Sequence, residues 1–297
     1  MKKCSNVGGQ ALIEGVMMRA DNRIAIALRQ PSGEVTSSVQ IVQPATGRLW
    51  KLPILRGMSA LYQSMKIGIG ALNKSAESFG VEEESPFENW LKAKFGNRAE
   101  KISMALTMLM SLAMAIGFFM ILPTVLTGFF KPYISHPVLL SLTEGLIKMG
   151  LFVIYIFAIS RLKDIKRVFQ YHGAEHKSVF TYEAGEELTV ENARRFSRLH
   201  PRCGTSYVFF VLALSILVFS FVSWASVALR VVLKVVFLPL VAGLGYELLK
   251  FTAKENPLVS VLRQPGLWLQ RITTAEPDDA QLEVALAALR LAVADDD

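Results

Sequence analysis

Four apolar blocks limit what this chain can fold into. They run from Ile102 to about Phe129, from Val138 to Ser160, from Tyr207 to Ser226 and from Val227 to about Leu249. Each is long enough to cross a bilayer, which takes about 20 helical residues. In hydrocarbon every backbone N–H and C=O must be satisfied internally, so blocks of this kind are helices. A hydrophobic content of 52% and a mean hydropathy of +0.37 lie above the usual soluble range. The expected fold is mainly α: a polytopic helical membrane protein with about four transmembrane helices and a small α+β cytoplasmic part at the N-terminus.

Orientation follows from the cations beside the block ends. Lys92, Lys94, Arg98 and Lys101 precede the first block, and Arg161, Lys163, Lys166, Arg167, Lys177, Arg194, Arg195, Arg198 and Arg202 fill the loop between the second and third. The other two turns offer only Lys131 and Arg230. Both termini and the long loop are therefore expected in the cytoplasm. The net charge of +7 is then juxtamembrane charge facing anionic lipid. No basic run is interleaved with aromatics, so nucleic acid is not an expected partner. Cys4 and Cys203 fall on the reducing side, which argues against a disulfide. Polar and glycine-rich residues follow Lys2 and Lys3, where a signal peptide would need an apolar core.

Six regions follow. Residues 1–50 form an N-terminal cytoplasmic region whose stretches Ile24 to Leu28 and Val35 to Val42 flank the turn Gln30-Pro31-Ser32-Gly33, a β-hairpin pattern. Residues 51–101 hold an amphipathic helix from Ile54 to about Phe79 and an acidic linker around Glu82, Glu83 and Glu84. Residues 102–160 carry transmembrane helices 1 and 2, with Pro123 expected to kink or end the first. Glu144 and Lys148, four apart in the second, read as a snorkelling ion pair. Residues 161–206 are a cytoplasmic loop, in which Thr189 is a candidate N-cap for a helix running to Leu199. Residues 207–250 carry helices 3 and 4. Residues 251–297 form a cytoplasmic tail: an interfacial turn segment with Trp268 as anchor, then a helix from Ala280 to Ala294.

The chemistry centres on Tyr171-His172-Gly173-Ala174-Glu175-His176-Lys177. On a helix His172 and His176 share a face, about 5–6 Å apart at Cβ, which suits two ligands of one ion. His-x-x-Glu-His is the inverzincin pattern, with the carboxylate as general base. Glu175 is the catalytic candidate on that reading. Third-ligand candidates are Glu247 at the end of the fourth block, His200 and Cys203 in His200-Pro201-Arg202-Cys203-Gly204, and Glu255 as runner-up to Glu247. Glu14 is an isolated carboxylate in an apolar stretch, for which a backbone or arginine partner is the expectation. Zn²⁺ is the expected ion, and another divalent metal is compatible with the same donors.

Several stretches together resemble one family. They are Gly8 to Arg19, His172 to Lys177, Leu188-Thr189-Val190-Glu191-Asn192, Arg202-Cys203-Gly204-Thr205-Ser206, Gly245-Tyr246-Glu247 and Thr273 to Asp279. They are similar to the YqhQ-type bacterial membrane proteins, domain of unknown function 1385. The resemblance implies a metal-dependent enzyme without a defined substrate, placed as a multi-pass protein of the bacterial cytoplasmic (inner) membrane. The leading expectation is a membrane-embedded hydrolase, a peptidase by analogy with the motif, acting on a membrane protein or peptide at the cytoplasmic face. The alternative is a non-catalytic assembly or scaffold protein with a structural metal site or none. Transport has only Glu144 and Lys148 behind it. A deaminase is disfavoured, because the His–Glu spacing is one residue too long and a second cysteine is missing.

Overall fold

The computed structural model describes residues 7–42, 52–79, 86–222, 224, 226–252 and 257–294. Cys4, Glu255, the acidic linker at 81–85 and the terminal aspartates lie outside them. The chain divides into two compact units: one made of 1–79, 154–211 and 239–297, the other of 80–153 and 212–238.

The first unit is built on a four-stranded antiparallel sheet in sequence order: β1 (Val7–Leu12), β2 (Gly15–Ala20), β3 (Arg23–Arg29) and β4 (Val35–Ile41). Two-residue turns join β1 to β2 and β2 to β3. They set Glu14 and Asp21 at φ 52° and 49°, the left-handed conformation that tight hairpins demand. The hairpin legible in the sequence is β3–β4, with Ile26 opposite Ser38. Alternation sorts the central strands onto two faces. Val16, Met18, Ala20, Ala25 and Ala27 face one core, and Met17, Ile24, Ile26 and Leu28 face the other.

The first core is closed by α6 (Lys163–Ala184) and the last helix, α11 (Asp279–Val293), which bring Tyr171, Ala174, Leu282, Leu286 and Leu289. Each buried leucine contributes about 1.5–3 kcal/mol. The second core is closed by α1 (Leu55–Ser78) through Ala71, Ile67 and Leu72. The small α+β part therefore uses helices from the middle and the end of the chain as well as its beginning. Asp278 starts α11 with a reciprocal capping box to Gln281, which fixes where the tail re-enters the core.

Among the described residues three helices are long and apolar enough to cross a membrane: Lys101–Gly128, Pro137–Ile159 and Val227–Thr252. The third block of the four expected is the one that does not give a helix of this length. It gives a helix of only 15 residues, α8 (Thr205–Phe219), about 22 Å long against a hydrocarbon core of about 30 Å. Ser220 ends it, its hydroxyl donating to Leu217 O at 2.6 Å, a local bond that competes with continued helix. Within the first span, α3 (Ala99–Ile116) passes through a π-turn at Gly117–Ile121 into α4 (Leu122–Gly128). Pro123 lies just beyond that turn, so the proline's missing N–H is absorbed by a local change of winding rather than by a stop.

Two local expectations change. The helix begun by Thr189, α7, ends at Arg195 instead of reaching Leu199, and Ser197 Oγ takes the Leu199 amide at 3.0 Å. The segment expected as an interfacial turn is α10 (Pro257–Thr273), which holds Pro265 within it and leaves Trp268 63% exposed.

Candidate metal centre

Helix α6 is terminated by Gly185 in the left-handed conformation, with Glu186 N donating to Thr181 O, the bond of a Schellman cap. Its buried residues include Tyr171, Gly173, Ala174, Glu175, His176 and Lys177, so the motif faces the interior of its own unit. Gly173 permits this. A Cβ there would meet Ala275 O at 2.2 Å, and the close approach lets Ala275 N donate to Phe169 O at 2.8 Å. The irregular segment at 274–278 is thus held on the flank of the helix.

His172, His176 and Cys203 each offer a ligand atom, all within 4.8 Å of one another. His172 Nε2 lies 3.2 Å from Cys203 Sγ, and the two rings have centroids 4.4 Å apart. Each imidazole is aimed by a main-chain carbonyl. His172 Nδ1 is 2.8 Å from Thr273 O, and His176 Nδ1 contacts Arg198 O. A carbonyl only accepts, so both Nδ1 atoms carry hydrogen and both Nε2 atoms present lone pairs. That is the outer-shell arrangement of metal-ligating histidines.

His176 is 2% exposed, and its Nε2 has no hydrogen-bond partner among the described residues. A buried lone pair of this kind costs about 1–3 kcal/mol when unmet. Cys203 Sγ receives the Thr205 amide and hydroxyl, both at 3.4 Å, at the start of α8. The donor set, two imidazole nitrogens and one cysteine sulfur, fits a borderline ion such as zinc.

The other candidates sit elsewhere. Glu175 is buried, and its Oε1 accepts from Gly9 N at 2.9 Å. That contact ties the motif to β1, and Gly9 has no room for a side chain against Glu175 and Met17. His200 is near, its ring centroid 5.7 Å from that of His176, but both its nitrogens are engaged: Nε2 with Glu183 Oε2 at 3.4 Å, Nδ1 with Arg202 N at 3.3 Å. Gln270 clamps the His200 backbone from both sides. Burial by itself would raise the Glu183 carboxyl, yet bonds and charge from His200 and Arg202 hold it below its ordinary value. Glu247 faces Arg56, accepting at 2.6 Å from Nε and also from NH2.

Glu14 is bonded by Arg167 and by the Tyr171 hydroxyl at 3.1 Å. Burial first, then the Glu14 charge and hydrogen bond, push the Tyr171 phenol up, so it stays a donor. The structure therefore groups His172, His176 and Cys203, and leaves Glu175, His200, Glu247 and Glu14 in separate contacts. Sequence reasoning missed the orienting carbonyls of Arg198 and Thr273, because a main-chain acceptor carries no residue signature.

A helix-borne histidine pair facing a loop thiol, in a chain whose described residues include three helices of membrane length, defines the class: an apolar, mainly helical protein with a candidate His₂Cys centre. The chain belongs to the family described as protein of unknown function DUF1385, whose model matches residues 52–295. It is 35% identical over 285 residues to the uncharacterized protein YqhQ of Bacillus subtilis (strain 168), covering 94% of this chain and 89% of that one. No solved structure matches. Neither description names a metal or a reaction.

Proposed function

We propose that this chain is a metal-dependent membrane hydrolase whose ion, zinc in the first instance, is held by His172, His176 and Cys203. The observation carrying the reading is the buried, unpartnered Nε2 of His176 beside a second Nε2 and a thiol, with both imidazoles locked from behind. Three protein ligands leave one tetrahedral position open, as catalytic sites do. A closed structural site needs a fourth ligand, and the nearest imidazole, His200, already has partners on both nitrogens. This weighs against the scaffold alternative. When bound, the ion supplies Lewis-acid activation of water or of a substrate carbonyl.

The chain's own groups do the rest. The Gly9 amide positions Glu175 through Oε1, and its other oxygen is the proton acceptor in this reading. A cavity of about 750 Å³ is lined by Gly9, the partner of Glu175, and by Gln10, Arg19, Arg202, Tyr246 and Lys250 among others; His172, Glu175, His176 and Cys203 are not in its lining. Its volume suits a ligand or a peptide segment. A membrane-associated peptide is the substrate class, by analogy with the motif alone.

The test is metal content of the detergent-purified full chain, prepared without chelators. One equivalent of zinc is expected in the wild type and in Glu175→Gln, with loss in His176→Ala and Cys203→Ser. Peptidase activity on membrane peptides should vanish in Glu175→Gln while its zinc stays. A metal-free wild type overturns the reading, and zinc that survives Cys203→Ser removes the thiol from the site.

A further inference from the structure

In the second unit the apolar helices enclose a set of charges. Glu144 and Lys148 lie on α5 (Pro137–Ile159), and Arg230 and Lys234 on α9 (Val227–Thr252). They are 3%, 8%, 1% and 0% exposed. Sequence reading pairs Glu144 with Lys148, one turn apart. The structure pairs them differently: Glu144 Oε2 takes Arg230 Nε and NH2 at 3.2 and 2.8 Å, and Oε1 takes Lys234 Nζ and the Thr124 hydroxyl. Arg230 also reaches Val222 O and Ser141 Oγ and lies over the Trp224 ring at 3.8 Å.

Both oxygens of the carboxylate are used by other groups. Lys148 is left with the Ser215 hydroxyl at 3.4 Å and the Phe219 ring 5.5 Å from its Nζ. Three cations thus surround one carboxylate, an excess of two positive charges among the described residues. An unpaired buried charge costs several kcal/mol, and more where lipid replaces water. Arg230 and Lys234 are sealed. Lys148 is the cation of the set with the most remaining exposure, and so marks the way in.

We infer that this cluster binds a phosphate group, with Lys148 as its principal contact. A free phosphate or a phosphomonoester carries about −1.5 to −2 at neutral pH, which answers the excess of two, whereas a lipid phosphodiester carries a single negative charge and answers half of it. A lysine ammonium is a compact point charge that suits it. The cluster begins about one turn inside α9 and about two turns inside α5, at 1.5 Å per residue, and Trp224 marks interfacial depth. A lipid phosphodiester and a free phosphate share this chemistry and can both reach it.

The experiment uses the full chain in phosphatidylcholine nanodiscs, with saturable binding read by thermal midpoint and by native mass spectrometry. One arm adds inorganic phosphate, and the other adds phosphatidylglycerol in phosphate-free buffer. Saturation by phosphate identifies the free anion, and saturation by phosphatidylglycerol alone identifies a lipid headgroup. Lys148→Met should weaken the binding about tenfold or more, the loss of one charge-assisted contact, while Lys148→Arg retains it. Ser215→Ala, which alters only the hydroxyl partner of Lys148, should weaken it less. Absence of saturable binding in both arms for the wild type overturns the inference, and so does unchanged binding in a folded Lys148→Met protein.

Discussion

Gly173→Ala separates two physical effects of opposite sign. Helix propensity alone favours alanine in the middle of α6 by about 1 kcal/mol. The structure demands the reverse, because the new Cβ would lie 2.2 Å from Ala275 O and 3.3 Å from Pro277 Cδ. Reaching ordinary contact means moving the 274–278 segment by more than about 1 Å, and overpacking of this sort costs about 1–3 kcal/mol. The net expectation is a loss of up to about 2 kcal/mol, a fall of up to about 8 °C in the thermal midpoint for a chain of this size. The same shift disturbs Thr273 O, which holds His172 Nδ1 at 2.8 Å. Loss of such an orienting partner weakens metal binding by about 10–100-fold. The assay is the thermal midpoint in detergent together with zinc competition against a chromophoric chelator. Gly150→Ala is the control, since nothing lies within 4 Å of its Cβ position. A Gly173→Ala chain with a raised midpoint and unchanged zinc affinity would refute the docking of this segment on α6.

Other expectations are more local. Glu247→Gln should leave zinc affinity within about twofold and cost less than about 1 kcal/mol, because its pair with Arg56 is a partly exposed one; metal loss in that variant would make Glu247 a ligand. Glu183 is held below its ordinary value of 4.5, so its contribution is present above about pH 4.5 and is lost as pH falls through the depressed folded value. The stability difference between wild type and Glu183→Gln, followed by denaturant titration, should therefore be full at pH 7 and shrink as pH falls below about 4.5. Tyr171→Phe removes a hydrogen bond to a charged, buried carboxylate and should cost about 1.5–3 kcal/mol in the same measurement.

Much of this was legible in one dimension because its causes are local. The β3–β4 hairpin is announced by Pro31 and Gly33, and α11 falls within a residue or so of the helix expected from Ala280 to Ala294. The histidine pair falls on one face for the same reason. What stayed hidden depends on partners distant in sequence. Pro265 reads as a turn, yet α10 accommodates it. The third apolar block reads as a span, yet Ser220 ends its helix early. Glu144 and Lys148 look like a pair, and only the arrival of Arg230 and Lys234 from α9 reassigns them. His200 looks as good a ligand as Cys203. Its removal from the set comes from Glu183 and Arg202, which no spacing rule identifies.

The centre has a structural logic that bears on how an ion would act there. His172 and His176 belong to α6, Cys203 to the loop before α8, and the carbonyls that aim the rings belong to Arg198 and Thr273. Glu175, between the histidines, is tied to Gly9 at the start of the sheet. Four segments remote in sequence therefore have to be in place before the two Nε2 atoms and the sulfur converge. The orphaned Nε2 of His176 shows which way the energy runs: the fold accepts an unsatisfied buried acceptor to keep the set assembled. Binding an ion would relieve that cost and cross-link α6 to the loop, so metal affinity is also stability of this unit. Zinc should raise the thermal midpoint of the wild type and leave that of His176→Ala unmoved, whereas an ion taken up at surface carboxylates would shift both alike.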